Sequence, residues 1–393
     1  MNRVFILGAC RTPIGKFGGA LSSFSAVDLG AIVIKEALKR SGISAEEVDH
    51  VYMGNAIQAG AGQNVARQST LRAGLPFTCT AETLNIVCGS GLDAVNSAAR
   101  LIKSGDADVV VAGGTESMSN APFALKKARF GYKMGSPMID TPLIDTMIND
   151  GLWDAFNDYH MGITAENIVE RWKLTRTELD EFALKSQEKA VNALQHNLFA
   201  EEIVSVMVKN NEMFSDEAPR KGLTLEDLSK LKPVFKSDGA VTAGNSSGVN
   251  DGAAAIVMIS EEKLRELNLS PQAEWIGGAL AGVDPAIMGI GSVASTQKLL
   301  KNLNMKISDI DLIEGNEAFA AQSIAVKQEL NIPDEKLNVN GGAIALGHPI
   351  GASGCRILVS LIYALKHKNK HTGLATLCIG GGMGCTSLIQ VVR

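Results

Sequence analysis

The sequence predicts an α/β protein made of two similar halves around an insert, and three observations carry that expectation. Short apolar runs of strand length alternate with helical periodicity, the order of elements near the N-terminus is replayed near the C-terminus, and a polar stretch without strand periodicity separates the first copy from its closing strand. Taken in order, "VFILGA" (4–9) reads as a strand. "VDLGAIVIKEALKRSG" (27–42) reads as a helix with Leu29, Ile32, Val33 and Leu38 on one face, Asp28 placed to cap its start and Gly42 its end. "VDHVYMGN" (48–55) is a strand leading to Asn55, "LNIV" (84–87) a strand, "LDAVNSAARLIKSG" (92–105) a helix and "ADVVVAGG" (107–114) a strand. The second copy runs through the helical "STQKLLKNLN" (295–304), "IDLIEGNEAFAAQ" (310–322), "LNVNGG" (337–342), the helical "CRILVSLIYALKHK" (355–368) and the strand "GLATLCIGGG" (373–382). The likeness reaches single residues: "VDHVYMGNAIQAG" parallels "IDLIEGNEAFAAQ", and "CGSGLDAV" (88–95) parallels "GASGCRIL" (351–358), each with a Ser-Gly pair entering a helix. Residues 120–249 differ in character, with the loop-like "ARFGYKMGSPMIDT", the charged helix "TRTELDEFALKSQEKAVNALQ" and the polar loop "KNNEMFSDEAPRKG". Such an insert reads as a lid or binding subdomain, after which the strand "GAAAIVMIS" (252–260) returns to the first copy.

Composition narrows the function classes. A chain of 393 residues exceeds one ordinary core, and 46% hydrophobic with 20% charged residues is a compact globular composition. Thirty-seven basic against forty-two acidic residues exert no overall pull on nucleic acid or an anionic membrane, so an anionic ligand has to be held locally. The apolar run before Arg11 is shorter than a signal-peptide core and no stretch reaches membrane-spanning length, so the expected compartment is the cytoplasm. The six cysteines show neither CxxC pairs nor zinc spacing, and no metal site is expected.

Reactive side chains sit at glycine-rich junctions. Cys88 in "VCGSG" precedes a helix start, where unpaired N–H groups and the helix dipole would favour a thiolate; a core cysteine at a tight turn is an equally good reading of the stretch alone. His348 in "GHPIGASG" has the proton affinity to take up a thiol proton, although a lone loop histidine is ordinarily a solvated one. Cys378 ends an apolar strand before three glycines and either faces a cleft or packs as a buried strand cysteine. Asn316 stands at a helix start in "EGNEAF". "GGGMG" fits neither a P-loop nor a dinucleotide fingerprint.

Together these residues resemble the thiolases, of the short-chain acetyl-CoA acetyltransferase type, through "RTPIGKFGG", "NIVCGSGL", "GGTESMS", "YHMGITAEN", "TAGNSSGVNDGAAA", "NEAFAAQ", "NVNGGAIALGHPIGASG" and "GLATLCIGGGMG", essentially the full chain. The resemblance implies the thiolase fold, two duplicated α/β halves in an α-β-α-β-α stack with an inserted loop domain. It divides the chain into 1–119 with 250–270, a loop domain 120–249 for CoA binding and tetramer contacts, and 271–393. It implies a homotetramer joined partly through "RFGYKMGSPM", acetyl-CoA, acetoacetyl-CoA and CoA as ligands, and no cofactor beyond these substrates. Carried over to this chain, Cys88 is the acetylated nucleophile, His348 its base and Cys378 the group that deprotonates the second acetyl-CoA. Asn316 and His348 form one oxyanion hole, and the N–H groups of Cys88 and Gly380 form the other. CoA contacts map onto His160, Arg220, Ser247, Ala318 and Phe319, and Met288 narrows the acyl pocket. Asp93 and Asp227 depart from the family pattern and bear on CoA affinity. Alternatives are a degradative thiolase for longer 3-ketoacyl-CoA, a non-catalytic acyl-CoA or lipid binder, which would not need four reacting groups, and a decarboxylating condensing enzyme, which would not need Cys378.

Overall fold

The computed structural model describes residues 3–131 and 143–392. Its first half is built from β1 (Val4–Arg11), α1 (Ala26–Ser41), β2 (His50–Gly54), α2 (Val65–Arg72), β3 (Thr80–Leu84), α3 (Ser90–Ser104) and β4 (Val109–Ser117). The insert contributes α4 (Met161–Trp172) and α5 (Arg176–Gln195), and β5 (Asn250–Ser260) closes the half. The second half repeats the plan with β6 (Ala273–Gly282), α6 (Gly291–Leu303), β7 (Leu312–Gly315), α7 (Ala320–Leu330), α8 (Ile350–His367), β8 (Thr372–Ile379) and β9 (Met383–Val391).

Strand order shows the duplication directly. From the middle outward the first half runs β1-β5-β4-β2-β3 and the second β6-β9-β8-β7, with Leu337 bridging Ile313 where the first half has β3. In both, the inner pairs are antiparallel and the outer pairs parallel. The halves join edge to edge where Val4 pairs Trp275 and Ile6 pairs Ala273.

Strands buried on both faces explain the continuous apolar runs. Along β5, Ala254, Ile256 and Met258 enter one core while Ala253, Ala255, Val257 and Ile259 enter another, the period of two expected of a strand. The first of these cores lies between the half-sheets and holds α3 and α8; the second lies under α1; a third, under α6 and α7, covers the outer face of the second half. Helices and sheets therefore stack in five layers, the arrangement expected of two duplicated α/β halves. The central helices cross closely because both copies carry glycine there: a Cβ on Gly91 would come within 2.8 Å of the Gly351 carbonyl, and one on Gly354 within 2.3 Å of the Leu92 nitrogen. The repeated Ser-Gly pair is thus a packing requirement of that crossing.

Local expectations need three corrections. The N-cap of α1 is Ser25, with Asp28 as its reciprocal partner three residues on, because a capping box satisfies two free N–H groups at once. The strand expected over 84–87 ends at Leu84, and Val87 turns to φ 51°, a costly conformation for a β-branched residue. The "polar loop" at 209–222 is an anchor: its Asp216 is buried and accepts from Arg11 at 2.7 Å, while Glu202 accepts from the same guanidinium at 2.6 Å. Arg11 is wholly buried at the end of β1, so removing either carboxylate would strand a buried charge at a cost of about 3–5 kcal/mol. The expected tetramer segment "RFGYKMGSPM" lies, from residue 132 on, outside the described residues.

Candidate active site

Cys88 sits in a single 3-10 turn, Val87–Gly89, between β3 and α3. The strained Val87 is held from both sides. Its N–H donates to Asn85 Oδ1 at 3.0 Å, and Ser90 Oγ donates to its carbonyl at 2.6 Å while accepting from the Ile86 N–H at 3.0 Å. This turn aims the half-buried Cys88 sulfur at the start of α8, where His348 Nε2 lies 3.3 Å away. His348 is fixed in turn. Its N–H donates to Asn250 Oδ1 at 3.0 Å, and its Nδ1 lies 2.6 Å from Ser353 Oγ.

The electrostatics overturn the thiolate expected at Cys88. Burial pushes the thiol up to about 11, against the N–H groups of Gly380 and of Cys88 itself, which act on the same sulfur in the opposite sense. Burial, helped by the Arg356 charge, also pushes His348 down to about 3. The resting pair is therefore a neutral thiol facing a neutral imidazole, because desolvation outweighs the pull of a helix N-terminus preceded by a turn. Cys378 ends β8 opposite Gly384, is buried among Met161, Met288, Ala318 and Phe319, and is held as a thiol by burial and by the neighbouring Cys88.

Asn316 follows β7, its N–H bound to the Thr376 carbonyl at 3.0 Å. Its buried side-chain amide has no protein partner on either atom among the described residues. An unpaired buried amide costs about 1–3 kcal/mol, so it marks a place built for something other than stability.

A cavity of about 480 Å³ is lined by Cys88, His348 and Gly380 together with His160, Arg220, Ser247, Met288, Ala318 and Phe319, while the buried Cys378 and Asn316 are not among its lining residues. His160 caps α4 by accepting from the Gly162 N–H at 3.0 Å through Nδ1, which places its proton on Nε2, and its ring stacks on Phe235 at 4.6 Å. Ser247 donates its N–H to the Ala318 carbonyl at 3.0 Å, tying the insert to the second half. Arg220 is exposed, with its N–H held by Gln187. Met118, Leu152 and Ile350 add an apolar wall beside Cys88. Among the described residues no group of acidic, histidine and cysteine side chains could hold a metal, and no helix is long and apolar enough to cross a membrane.

The two departures from the family pattern have local explanations. Asp93 pairs with Arg100 on its own helix at 3.4 Å, and Asp227 completes a capping box with Thr224. Sequence reasoning missed Asn250, Ser353 and the buried Arg356. The Ser-Gly repeat displayed Ser353, but only its fold position shows the imidazole beside it.

Comparison with known proteins agrees with this geometry. The thiolase N-terminal domain family matches residues 4–262 and the thiolase C-terminal domain family residues 269–391. The acetyl-CoA acetyltransferase of Syntrophomonas wolfei is 53% identical over the whole of both chains, and that of Cupriavidus necator is 51% identical over 99% of this chain and all of its own. The crystal structure of the Bacillus anthracis acetyl-CoA acetyltransferase superposes with a TM-score of 0.96 at 45% identity, covering 100% of this chain and 99% of that one. Human mitochondrial 3-ketoacyl-CoA thiolase in complex with CoA gives 0.97 at 42%, covering 100% and 98%. With both domain families matched along nearly its whole length and relatives more than half identical to it, the chain belongs to the thiolase family.

Proposed function

We propose that this protein is an acetyl-CoA C-acetyltransferase that interconverts two acetyl-CoA with acetoacetyl-CoA and CoA. The observation that carries the reading is the Cys88–His348 contact of 3.3 Å in the lining of the cavity, with Cys378 beside it. Cys88 Sγ attacks the acetyl thioester as its proton passes to His348 Nε2, and the departing CoA sulfur takes the Cys378 proton. The site then holds an imidazolium and a thiolate side by side, so charge separation stays internal to a buried pocket. The Cys378 thiolate removes a methyl proton from a second acetyl-CoA, and the carbanion attacks acetyl-Cys88. His348 returns its proton to the leaving Cys88 sulfur. Every proton taken is given back, and CoA leaves as the thiol.

The enolate oxygen is held by the His348 imidazolium together with a water on Asn316, which accounts for that residue's unpaired amide. The tetrahedral oxyanion is held by the Cys88 and Gly380 N–H groups, which already converge on the sulfur. Residues 120–249 act as the loop domain over CoA, between a first half of 1–119 with 250–270 and a second of 271–393. His160, Ser247, Ala318 and Phe319 flank the pantetheine arm and Arg220 meets the nucleotide end. A homotetramer is supported by Phe123, Leu125 and Leu143, exposed on the hairpin that flanks "RFGYKMGSPM". The compartment consistent with these substrates is the cytoplasm.

Short chains are favoured by Met118, Leu152, Met288 and Ile350, which narrow the cavity near Cys88. The likeness to the human 3-ketoacyl-CoA thiolase keeps longer substrates as a second reading. Steady-state thiolysis of acetoacetyl-CoA against a C8 ketoacyl-CoA decides between them. The acetyltransferase reading expects the shorter substrate to win in kcat/KM, and preference for the C8 substrate overturns it.

A further inference from the structure

The base of this site has a third member beside Cys88 and His348. Ser353 lies in the first turn of α8, wholly buried, with its Oγ 2.6 Å from His348 Nδ1 and 2.9 Å from the Pro349 carbonyl oxygen. The Pro349 carbonyl also accepts from the Ala352 and Ser353 N–H groups, each at 2.9 Å, so it does not by itself hold the hydroxyl proton. The far side of the ring sets the direction: the Cys88 sulfur accepts from the Cys88 and Gly380 N–H groups, and its thiol has His348 Nε2 at 3.3 Å as acceptor, which leaves the imidazole proton on Nδ1, toward Ser353 Oγ. We propose that Ser353 is a positioning residue which, by accepting from His348 Nδ1–H, keeps the imidazole proton on Nδ1 and leaves the Nε2 lone pair free to take the Cys88 proton. This rests on the reading of His348 as the base for Cys88.

The pseudo-equivalent serine of the other half supports the assignment. Ser90 also gives its proton to a backbone carbonyl, that of Val87 at 2.6 Å, and accepts from a donor just upstream, the Ile86 N–H at 3.0 Å. The duplicated scaffold thus provides the same wiring twice. One copy steadies the turn that presents the nucleophile, and the other orients the ring that deprotonates it. In the opposite tautomer Nε2–H would point at the Cys88 sulfur and Ser353 would have to turn its proton from Pro349 to Nδ1, so the ring would lose its base function.

Serine differs from the carboxylate that orients histidine in charged triads: it fixes the tautomer without stabilising an imidazolium. Cys88 and His348 therefore stay neutral until substrate arrives, which protects a thiol in a solvent-reaching cavity from reaction without substrate.

The test uses the full-length enzyme labelled with ¹⁵N-histidine. With the His348 signals identified by their loss in His348→Asn, Nδ1 should carry the proton and Nε2 should show the unprotonated, pyridine-type shift. A protonated Nε2 in the resting enzyme overturns the proposal whether or not any variant folds. In Ser353→Ala the signals should move toward a mixture of tautomers, and kcat for acetoacetyl-CoA thiolysis should fall about 100-fold, the low end of what a positioned general base contributes, with KM changed less than threefold. Retention of both the tautomer and kcat in Ser353→Ala overturns it equally. Should the wild-type enzyme show Nδ1–H yet never acetylate Cys88, the positioning assignment survives and the proposed function fails.

Discussion

The two halves of the sheet end in the same place and put their ends to different use. β2 runs into Asn55 and β7 into Asn316, and the strand beside each reaches an acidic or nucleophilic residue. Gly54 pairs with Gly114 and Gly315 with Thr376, and two residues further along the neighbouring strand lie Glu116 in one half and Cys378 in the other, on opposite faces: Glu116 has the parity of Val110 and Ala112, toward the central helices, and Cys378 that of Leu374, away from them. In the first half Glu116 is saturated, and Asn55 gives its amide N–H groups to Glu116 and the Thr115 carbonyl, leaving only its Oδ1 without a partner among the described residues. Glu116 accepts from Asn55 Nδ2, the Ala56, Ile57 and Gly351 N–H groups, all within 3.2 Å. In the second half the Asn316 amide is left unpaired and Cys378 faces Cys88. Duplication supplied two strand–turn–helix frames, and chemistry arose in the one whose strand-end amide is left without a partner on either polar atom. The lesson is that a site in a duplicated fold is found by asking which copy leaves more of its buried polar groups unpaired.

The comparison can be broken most severely at the two strand ends. Cys378→Ala should lower condensation by about 10³-fold or more while acetylation of Cys88 persists, measured as product formation alongside the acetyl adduct. Loss of both steps would make Cys378 structural. Next, Asn316→Ala should lower kcat by about 100-fold yet change stability by no more than about 0.5 kcal/mol, because its amide contributes no internal bond. Asn55→Ala should do the converse, costing about 2–3 kcal/mol in urea unfolding at fixed protein concentration, because it strips a donor from Glu116 and leaves the Thr115 carbonyl unpaired. Equal stability losses in the two variants would dissolve the contrast. Glu116→Gln should cost about 2 kcal/mol by placing an NH2 against N–H donors at one oxygen position.

The smallest effect concerns the resting thiol. With Cys88 pushed up to about 11 and His348 down to about 3, the thiolate fraction is small at neutral pH. Iodoacetamide alkylation of Cys88 should rise about tenfold per pH unit from 7 to 10, since only the thiolate reacts. A plateau beginning below pH 7 would show a preformed thiolate–imidazolium pair and a first half that does lower the thiol through its helix.

Much of this was legible in the residues. Alternation of strand and helix, the replayed order and the Ser-Gly pairs expose the duplication, because periodicity and turn chemistry are local. The identities of Cys88, His348, Cys378 and Asn316 come from glycine-rich junctions together with family likeness. What stayed hidden depends on burial and on partners far along the chain. The charge state of Cys88 is not legible, because a helix N-terminus is visible in sequence and the burial that raises the thiol is not. The buried Arg11–Asp216 link spans 205 residues, so "KNNEMFSDEAPRKG" reads as a surface loop until the fold closes on it. Asp93 looks anomalous beside family habit but is paired with Arg100 one face along its own helix.

The central claim is that Cys88 carries the acetyl group between two CoA thioesters. Intact-mass and peptide mapping after brief mixing with acetyl-CoA tests it directly. A single acetyl adduct on the Cys88 peptide is expected in the wild type and in Cys378→Ala, discharged by added CoA and absent from Cys88→Ala; a persistent adduct in Cys88→Ala, or none in the wild type, contradicts the account.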